Sequence, residues 1–183
     1  RSRGLGDVYK RQGQELVEHE LENILEGLHT GSARLKTLVE DFLLLSKLST
    51  GALQRQIDIV ECVAIAPDPV VSGRVQAAAA RAGTRSVKLL TDLQFPAAQV
   101  AILREHLVEI VDRLVDNSIK FSKPAGGKVT VATAQDGSRW RLTVADEGIG
   151  IRAEALPSIF EAFRQVDRNK LEQQGSGVGL TIV

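Results

Sequence analysis

Between Gln14 and about Leu48 the chain has no proline and only two glycines, Gly27 and Gly31, while apolar residues return every three to four positions. Positions 21, 25, 28, 32, 35, 39, 42 and 46 read Leu, Leu, Leu, Ser, Leu, Val, Phe, Ser. A neighbouring stripe holds Ile24, Leu28, Leu35, Leu38, Phe42 and Leu45. A helical period sustained this long predicts a single helix, stopped by Ser49-Thr50-Gly51. The apolar face is wider than a two-stranded seam needs, and one helix cannot bury it alone. It therefore needs partner helices, as in a bundle. The alternative is that the helix folds back on the residues that follow.

The rest of the 183 residues bounds the function class. Lys+Arg and Asp+Glu are both 23, so the net charge is zero, which argues against nucleic acid or an anionic membrane surface as the main partner. No apolar run approaches the ~18 residues that cross a bilayer. Cys62 is the single cysteine, which excludes an intrachain disulfide and a cysteine-based zinc site. A cytoplasmic location without direct membrane contact is expected. There is no methionine, and Thr181-Ile182-Val183 stops inside an apolar run, so the chain reads as a piece of a longer protein. Residues 1–12 (RSRGLGDVYKRQ) carry Gly4 and Gly6 and no apolar face. They resemble translated adapter read-through and are expected to be a non-native or disordered leader, the alternative being a flexible basic linker.

Three divisions follow: this leader, the helical segment 13–51, and a domain over 52–183. In the last, Ile57–Val63 and Val87–Leu93 read as strands, and Pro67–Ala82 and Ala98–Phe121 as helices. Lys123 to Gly127 is a turn. Lys128–Ala134 and Arg139–Ala145 alternate strongly and face each other across Asp136-Gly137, a hairpin. From Glu147 to Gln174 the chain is polar, with Phe160 and Phe163 as expected anchors, and reads as a mobile cover over a site.

Three segments carry chemistry. Asp116-Asn117-Ser118-Ile119-Lys120-Phe121 ends a helix, Asp146-Glu147-Gly148-Ile149-Gly150-Ile151 follows a strand, and Gly175-Ser176-Gly177-Val178-Gly179-Leu180 opens the terminal helix. Each alone is weak; all three in this order are specific. They resemble the N, G1 and G2 boxes of the ATP-binding domain of sensor histidine kinases, with Ile159-Phe160-Glu161-Ala162-Phe163 similar to the F box. The helix ending Leu43-Leu44-Leu45-Ser46-Lys47-Leu48 resembles the second helix of that family's dimerisation and phosphotransfer hairpin. Glu172-Gln173-Gln174-Gly175 is similar to the lid end of kinases in hybrid response-regulator systems.

The resemblance implies an α+β fold: a helical dimerisation segment, then a two-layer α/β sandwich of the histidine-kinase and gyrase type (the Bergerat fold), with a mixed sheet covered by helices on one face. It implies ATP and Mg²⁺ as ligands, autophosphorylation of a histidine, a homodimer through residues 14–48, and a response-regulator receiver domain as the next acceptor.

Physical reasons stand beside the resemblance. Mg²⁺ takes hard oxygen ligands and keeps waters, so one carboxamide plus phosphate oxygens suffices, and Asn117 offers that oxygen as the metal ligand. Lys120 lies one turn on and can neutralise phosphate, or simply favour the helix dipole. Phe121 can lie against a purine. A carboxylate behind an apolar strand is costly without a hydrogen-bond donor, and an adenine amino group would supply one to Asp146. The alternative is a turn carboxylate. Gly148 and Gly150, beside Ile151, let the backbone approach a ring, while Glu147 reads as solvated. Gly175, Gly177 and Gly179, with Ser176, Val178 and Leu180, allow a tight curve of outward N–H groups that cradles phosphate. Arg164, Arg168 and Lys170 are either surface charges or γ-phosphate ligands on closure; Arg168 is the one chosen.

The phosphate acceptor is less well placed. His19-Glu20-Leu21-Glu22-Asn23 resembles the family's acceptor box, but no proline follows and too few residues separate His19 from Gly51 for two long helices. The expectation is that the acceptor helix lies upstream and that His19 and His29 sit on the second helix. Arg113, one turn before Asn117, departs from the family's usual asparagine or glutamate. It cannot act as a general base and counts against a hydrolase, although Glu109 can compensate or pair with it. Arg113 also leaves open a catalytically weak or inactive ATP-binding and dimerisation module. A serine/threonine kinase of the anti-sigma-factor type shares the boxes but does not need the long helix.

Overall fold

The computed structural model describes residues 3–51, 64–94, 99–164 and 177–183. The chain divides into two units, Arg1–Leu43 and Leu44–Val183. Among the described residues no helix is long and apolar enough to cross a membrane.

The first unit is helical. Helix α1 runs Arg3–Ser49 without a break. The leader expected to lack helix is therefore helical from Arg3. Gly4 and Gly6 cost only about 1 kcal/mol each relative to alanine, and with no proline before Pro67 an established helix propagates through them. Leu21, Ile24, Leu25, Leu28, Leu35, Leu38, Val39 and Phe42 are all exposed, between 46% and 65%. The helix ends where its sequence predicts. Thr50 N–H and Gly51 N–H donate to the carbonyls of Ser46 and Leu48, both at 3.1 Å.

In the second unit, β1 (Ala64–Ile65) pairs antiparallel with β3 (Val100–Ala101). Helices α2 (Pro67–Ala77) and α3 (Ala79–Thr84) follow β1; Pro67 suits a first helical turn, where its missing N–H has no partner to lose. The single helix expected over 67–82 is thus two helices meeting at Ala78. Strand β2 (Val87–Leu93) leads through β3 and helix α4 (Arg104–Lys120) to the hairpin β4 (Gly127–Asp136) and β5 (Arg139–Asp146). The sheet order is β2-β4-β5, with β2 parallel and β5 antiparallel to β4, a mixed sheet as expected. The helix expected from Ala98 starts only at Arg104, because a short apolar run fits either period and Val100–Ala101 finds a strand partner in Ala64–Ile65. The strand expected over 57–63 lies outside the described residues.

Alternation along the strands turns Val87, Val129, Val131 and Thr133 inward, with Leu89, Leu142 and Val144 partly buried beside them. Against this face lie Val70, Val71 and Val75 of α2 and Leu107, Val111, Val115 and Ile119 of α4, a period of four that gives α4 one apolar side. Two ion pairs hold the helices to each other. The Arg74 guanidinium donates to both Asp112 oxygens at 2.7 and 2.6 Å, and Arg81 donates to Asp116 at 3.1 and 2.8 Å. Phe160 and Phe163, expected as anchors, are each 60% exposed. They follow a single 3₁₀ turn, Ala153–Ser158.

Candidate functional site

Helix α4 ends beside the exit of β5. Its last turn carries Asn117, half-buried, then buried Ser118 and Ile119, then half-buried Lys120. The Ser118 hydroxyl donates to Asp146 Oδ2 at 3.4 Å, and the Gly148 N–H donates to Asp146 Oδ1 at 2.9 Å. One residue further, Ile149 N–H donates to the Phe121 carbonyl at 3.0 Å. The third segment arrives on the other flank. Val178 is fully buried, and a Cβ built at Gly179 would stand 3.4 Å from Asn117 Nδ2 and 3.8 Å from Oδ1. The structure therefore gathers Asn117, Lys120, Phe121, Asp146, Gly148 and Gly179 around one helix end, with half-buried Gly177 and Leu180 adjoining. Ile151 and Gly150 lie past the loop and are exposed. Arg168, Gly175 and Ser176 lie outside the described residues, as do Lys170 and much of the expected cover.

Several expectations need correction. Asp146 is exposed rather than buried, because it is the last residue of β5, paired with Val129 where the sheet ends. Its carboxylate, with about four acceptor positions, receives two donors from the chain and faces outward. The small size of Gly148 serves the protein itself: a Cβ there would lie 2.6 Å from the Phe121 carbonyl oxygen and 2.7 Å from Asp146 Oδ1. Glycine is needed because the loop presses on α4. Glu147 is exposed, yet its Oε2 accepts the Lys128 N–H at 3.1 Å while its own N–H donates to the Lys128 carbonyl, also at 3.1 Å. Arg113 donates to Glu109 at 2.6 Å, the pairing foreseen for them. Arg164 donates to Glu161 at 2.8 Å.

Lys120 has an unusual setting. Burial first, and the nearby Arg85 cation second, hold its ammonium below the ordinary lysine range. The Nζ lies 4.9 Å from the centroid of the Phe121 ring, a cation–π contact that occupies one ring face. Arg85 and Ser118 are the neighbours that sequence reasoning missed. Arg85 reaches α4 across 35 positions, and no local pattern signals it. Ser118 sat inside a recognised segment, where a buried hydroxyl in a helix was itself a signal of a tertiary acceptor. Among the described residues no cluster of three or more His, Cys, Asp or Glu could hold a metal. A divalent ion here would need the carboxamide of Asn117, which hydrogen-bonds to no other described residue, together with oxygens of a ligand.

Residues 103–183 match the family described as histidine kinase-, DNA gyrase B- and HSP90-like ATPase. The chain is 32% identical over 181 residues to Drug sensory protein A of Synechocystis sp., covering 93% of this chain and 26% of that protein. It is 30% identical over 177 residues to Sensor histidine kinase YkoH of Bacillus subtilis, covering 96% of this chain and 36% of that one. Over most of its length the chain is similar to sensor histidine kinases, and its C-terminal part matches their ATPase family. Its fold agrees with that of full-length ShkA, solved in complex with AMPPNP, at a TM-score of 0.70 and 25% identity, over 89% of this chain and 32% of that one. The chain thus spans between a quarter and about a third of these relatives' lengths.

Proposed function

We propose that this chain is the catalytic region of an ATP-dependent histidine kinase, holding ATP with Mg²⁺ between the end of α4, the loop after β5 and residues 175–180. The observation that carries the reading is the meeting of Asn117, Lys120 and Asp146 at one helix end, with the Asp146 carboxylate facing outward. Asp146 accepts the adenine amino group, for which a carboxylate is selective over a guanine carbonyl. Phe121 and Ile151 offer apolar surface to the ring. Lys120 neutralises phosphate charge, with Arg168 contributing. The backbone from Gly175 through Ser176, Gly177, Val178 and Gly179 to Leu180 cradles the phosphates at a helix start.

Bound Mg²⁺, held by the Asn117 oxygen and phosphate oxygens, would supply neutralising charge. In the transfer, a histidine nitrogen attacks the γ-phosphorus, the bond to the bridging oxygen breaks, and ADP leaves; the protein's part is positioning and electrostatics. The acceptor is a histidine on a separate helix of the parent protein rather than His19 or His29, which are exposed on α1. The exposed stripe on α1 supports a homodimer through residues 14–48, and the family's chemistry supports a receiver-domain aspartate as the next acceptor and a cytoplasmic location. A second reading, a module that binds nucleotide but transfers poorly, draws on the Arg113–Glu109 pair, since arginine cannot replace the family's usual residue one turn before Asn117.

Calorimetry with Mg-ATP on the native chain and on Asp146→Asn tests the site: binding to the first and its loss in the second are expected, and equal affinity refutes it. Radiolabelled ATP given to the full-length parent protein then separates the readings. Acid-labile label on histidine supports the kinase; ATP binding without transfer favours the inactive module.

A further inference from the structure

Three arginines reach α4 on successive turns. Arg74 and Arg81 take Asp112 and Asp116, and Arg85, just past α3, donates from Nη1 to the Lys120 carbonyl at 2.8 Å. The three acceptors are four residues apart and so line one face of α4. The third contact differs in kind from the first two. It satisfies a carbonyl in the last turn of the helix, where no intrahelical donor remains, and it places a positive charge at the negative end of the helix dipole.

The backbone that aims Arg85 is itself held. Ser86 has a φ of 54°, uncommon for a residue with a Cβ. Its carbonyl oxygen stands where a Cβ at position 126 would overlap it, so the Arg85–Ser86 turn is pressed against Gly126. Such a conformation persists where its surroundings over-determine it. Beyond the Lys120 carbonyl, the next carbonyl, that of Phe121, accepts the Ile149 N–H, and the Lys120 ammonium rests over the Phe121 ring. Arg85 is thus the first link of a short chain of contacts that ends in the loop beside Asp146.

We propose that Arg85 is a positioning residue for phosphate binding: by fixing the last turn of α4 it sets where the Lys120 ammonium stands relative to Asn117. The proposal rests on the nucleotide reading above. Arg85 acts through Lys120 and does not itself touch the nucleotide.

The test is calorimetry on the full chain with two ligands, Mg-ATP and adenosine, the second having the base without phosphates. Arg85→Gln is expected to weaken ATP binding about threefold to tenfold, the size of one ordinary hydrogen bond, and to leave adenosine binding within about twofold. In a Lys120→Ala background the same substitution is expected to have no further effect on ATP, because the side chain it acts through is gone. Should Arg85→Gln fold poorly, Arg85→Lys, which keeps the charge but not the fork, is expected to show a smaller loss, again confined to ATP. Equal losses for ATP and adenosine, no loss for either, or an undiminished effect in the Lys120→Ala background would each overturn the proposal while leaving the nucleotide site standing. Failure of the unsubstituted chain to bind ATP would overturn both.

Discussion

Position 148 illustrates how much one hydrogen atom in place of a methyl group can decide. An alanine there has no room, since the obstructing atoms are a backbone carbonyl and the carboxylate of Asp146 rather than the far end of a flexible side chain. Gly148→Ala should push the loop off α4, break the Ile149–Phe121 hydrogen bond and cost about 1–3 kcal/mol, as overpacking does. Urea unfolding would measure it, and an unchanged midpoint would mean that the loop yields freely. Lys120 gives a pH signature. Its ammonium titrates below the ordinary 10.5, so between the lowered value and 10.5 the unfolded chain binds more protons than the folded one. Stability contributed by this residue therefore rises with pH across that window, and the penalty is fully present below it. Relative to Lys120→Met, the native chain should gain stability as pH climbs towards 10.5; parallel pH profiles for the two would contradict the buried, Arg85-facing setting.

Helix α4 joins the core to the site. One side carries Leu107, Val111, Val115 and Ile119 into the sheet, and its last turn carries Asn117 and Lys120 outward. Packing on the first side is what fixes the direction of the second. Leu107, at 1% exposure, lies more than three turns from Lys120, inside the core. Leu107→Ala should cost about 2–5 kcal/mol by transfer and cavity terms, lowering the thermal midpoint while the folded fraction still binds ATP. A midpoint unchanged within error would show that the interior closes around the deletion. The same division of labour explains why the strands were read more accurately than the helix starts. Val129, Val131 and Val144 alternate with polar residues in a way no helix tolerates, whereas the few apolar residues before Arg104 suit either period.

Across the two units, apolar surface is treated in opposite ways. In Leu44–Val183 it is folded inward between helices and sheet, but on α1 the stripe through Leu28, Leu35 and Phe42 remains in water. A stripe this long on an exposed helix face calls for a partner. Light scattering should give about twice the 19.8 kDa monomer mass for the native chain and the monomer mass after Leu28→Glu with Leu35→Glu. A monomeric native chain would remove the argument for pairing through residues 14–48.

The sequence by itself determined the long helix, the mixed α/β domain, the hairpin and the three segments that meet at the end of α4, because periodicity, turn residues and short motifs are local and leave a trace in neighbouring positions. The start of α4, the exposure of Asp146, the reason for Gly148 and the reach of Arg85 were decided by the tertiary structure alone. Each depends on which distant backbone lies alongside: Ala64 beside Ala101, Val129 opposite Asp146, Phe121 against Gly148, and the Lys120 carbonyl within reach of a guanidinium 35 positions away. Contacts between residues far apart in the chain are set by packing free energy summed over the whole domain, and no short window of sequence contains that sum.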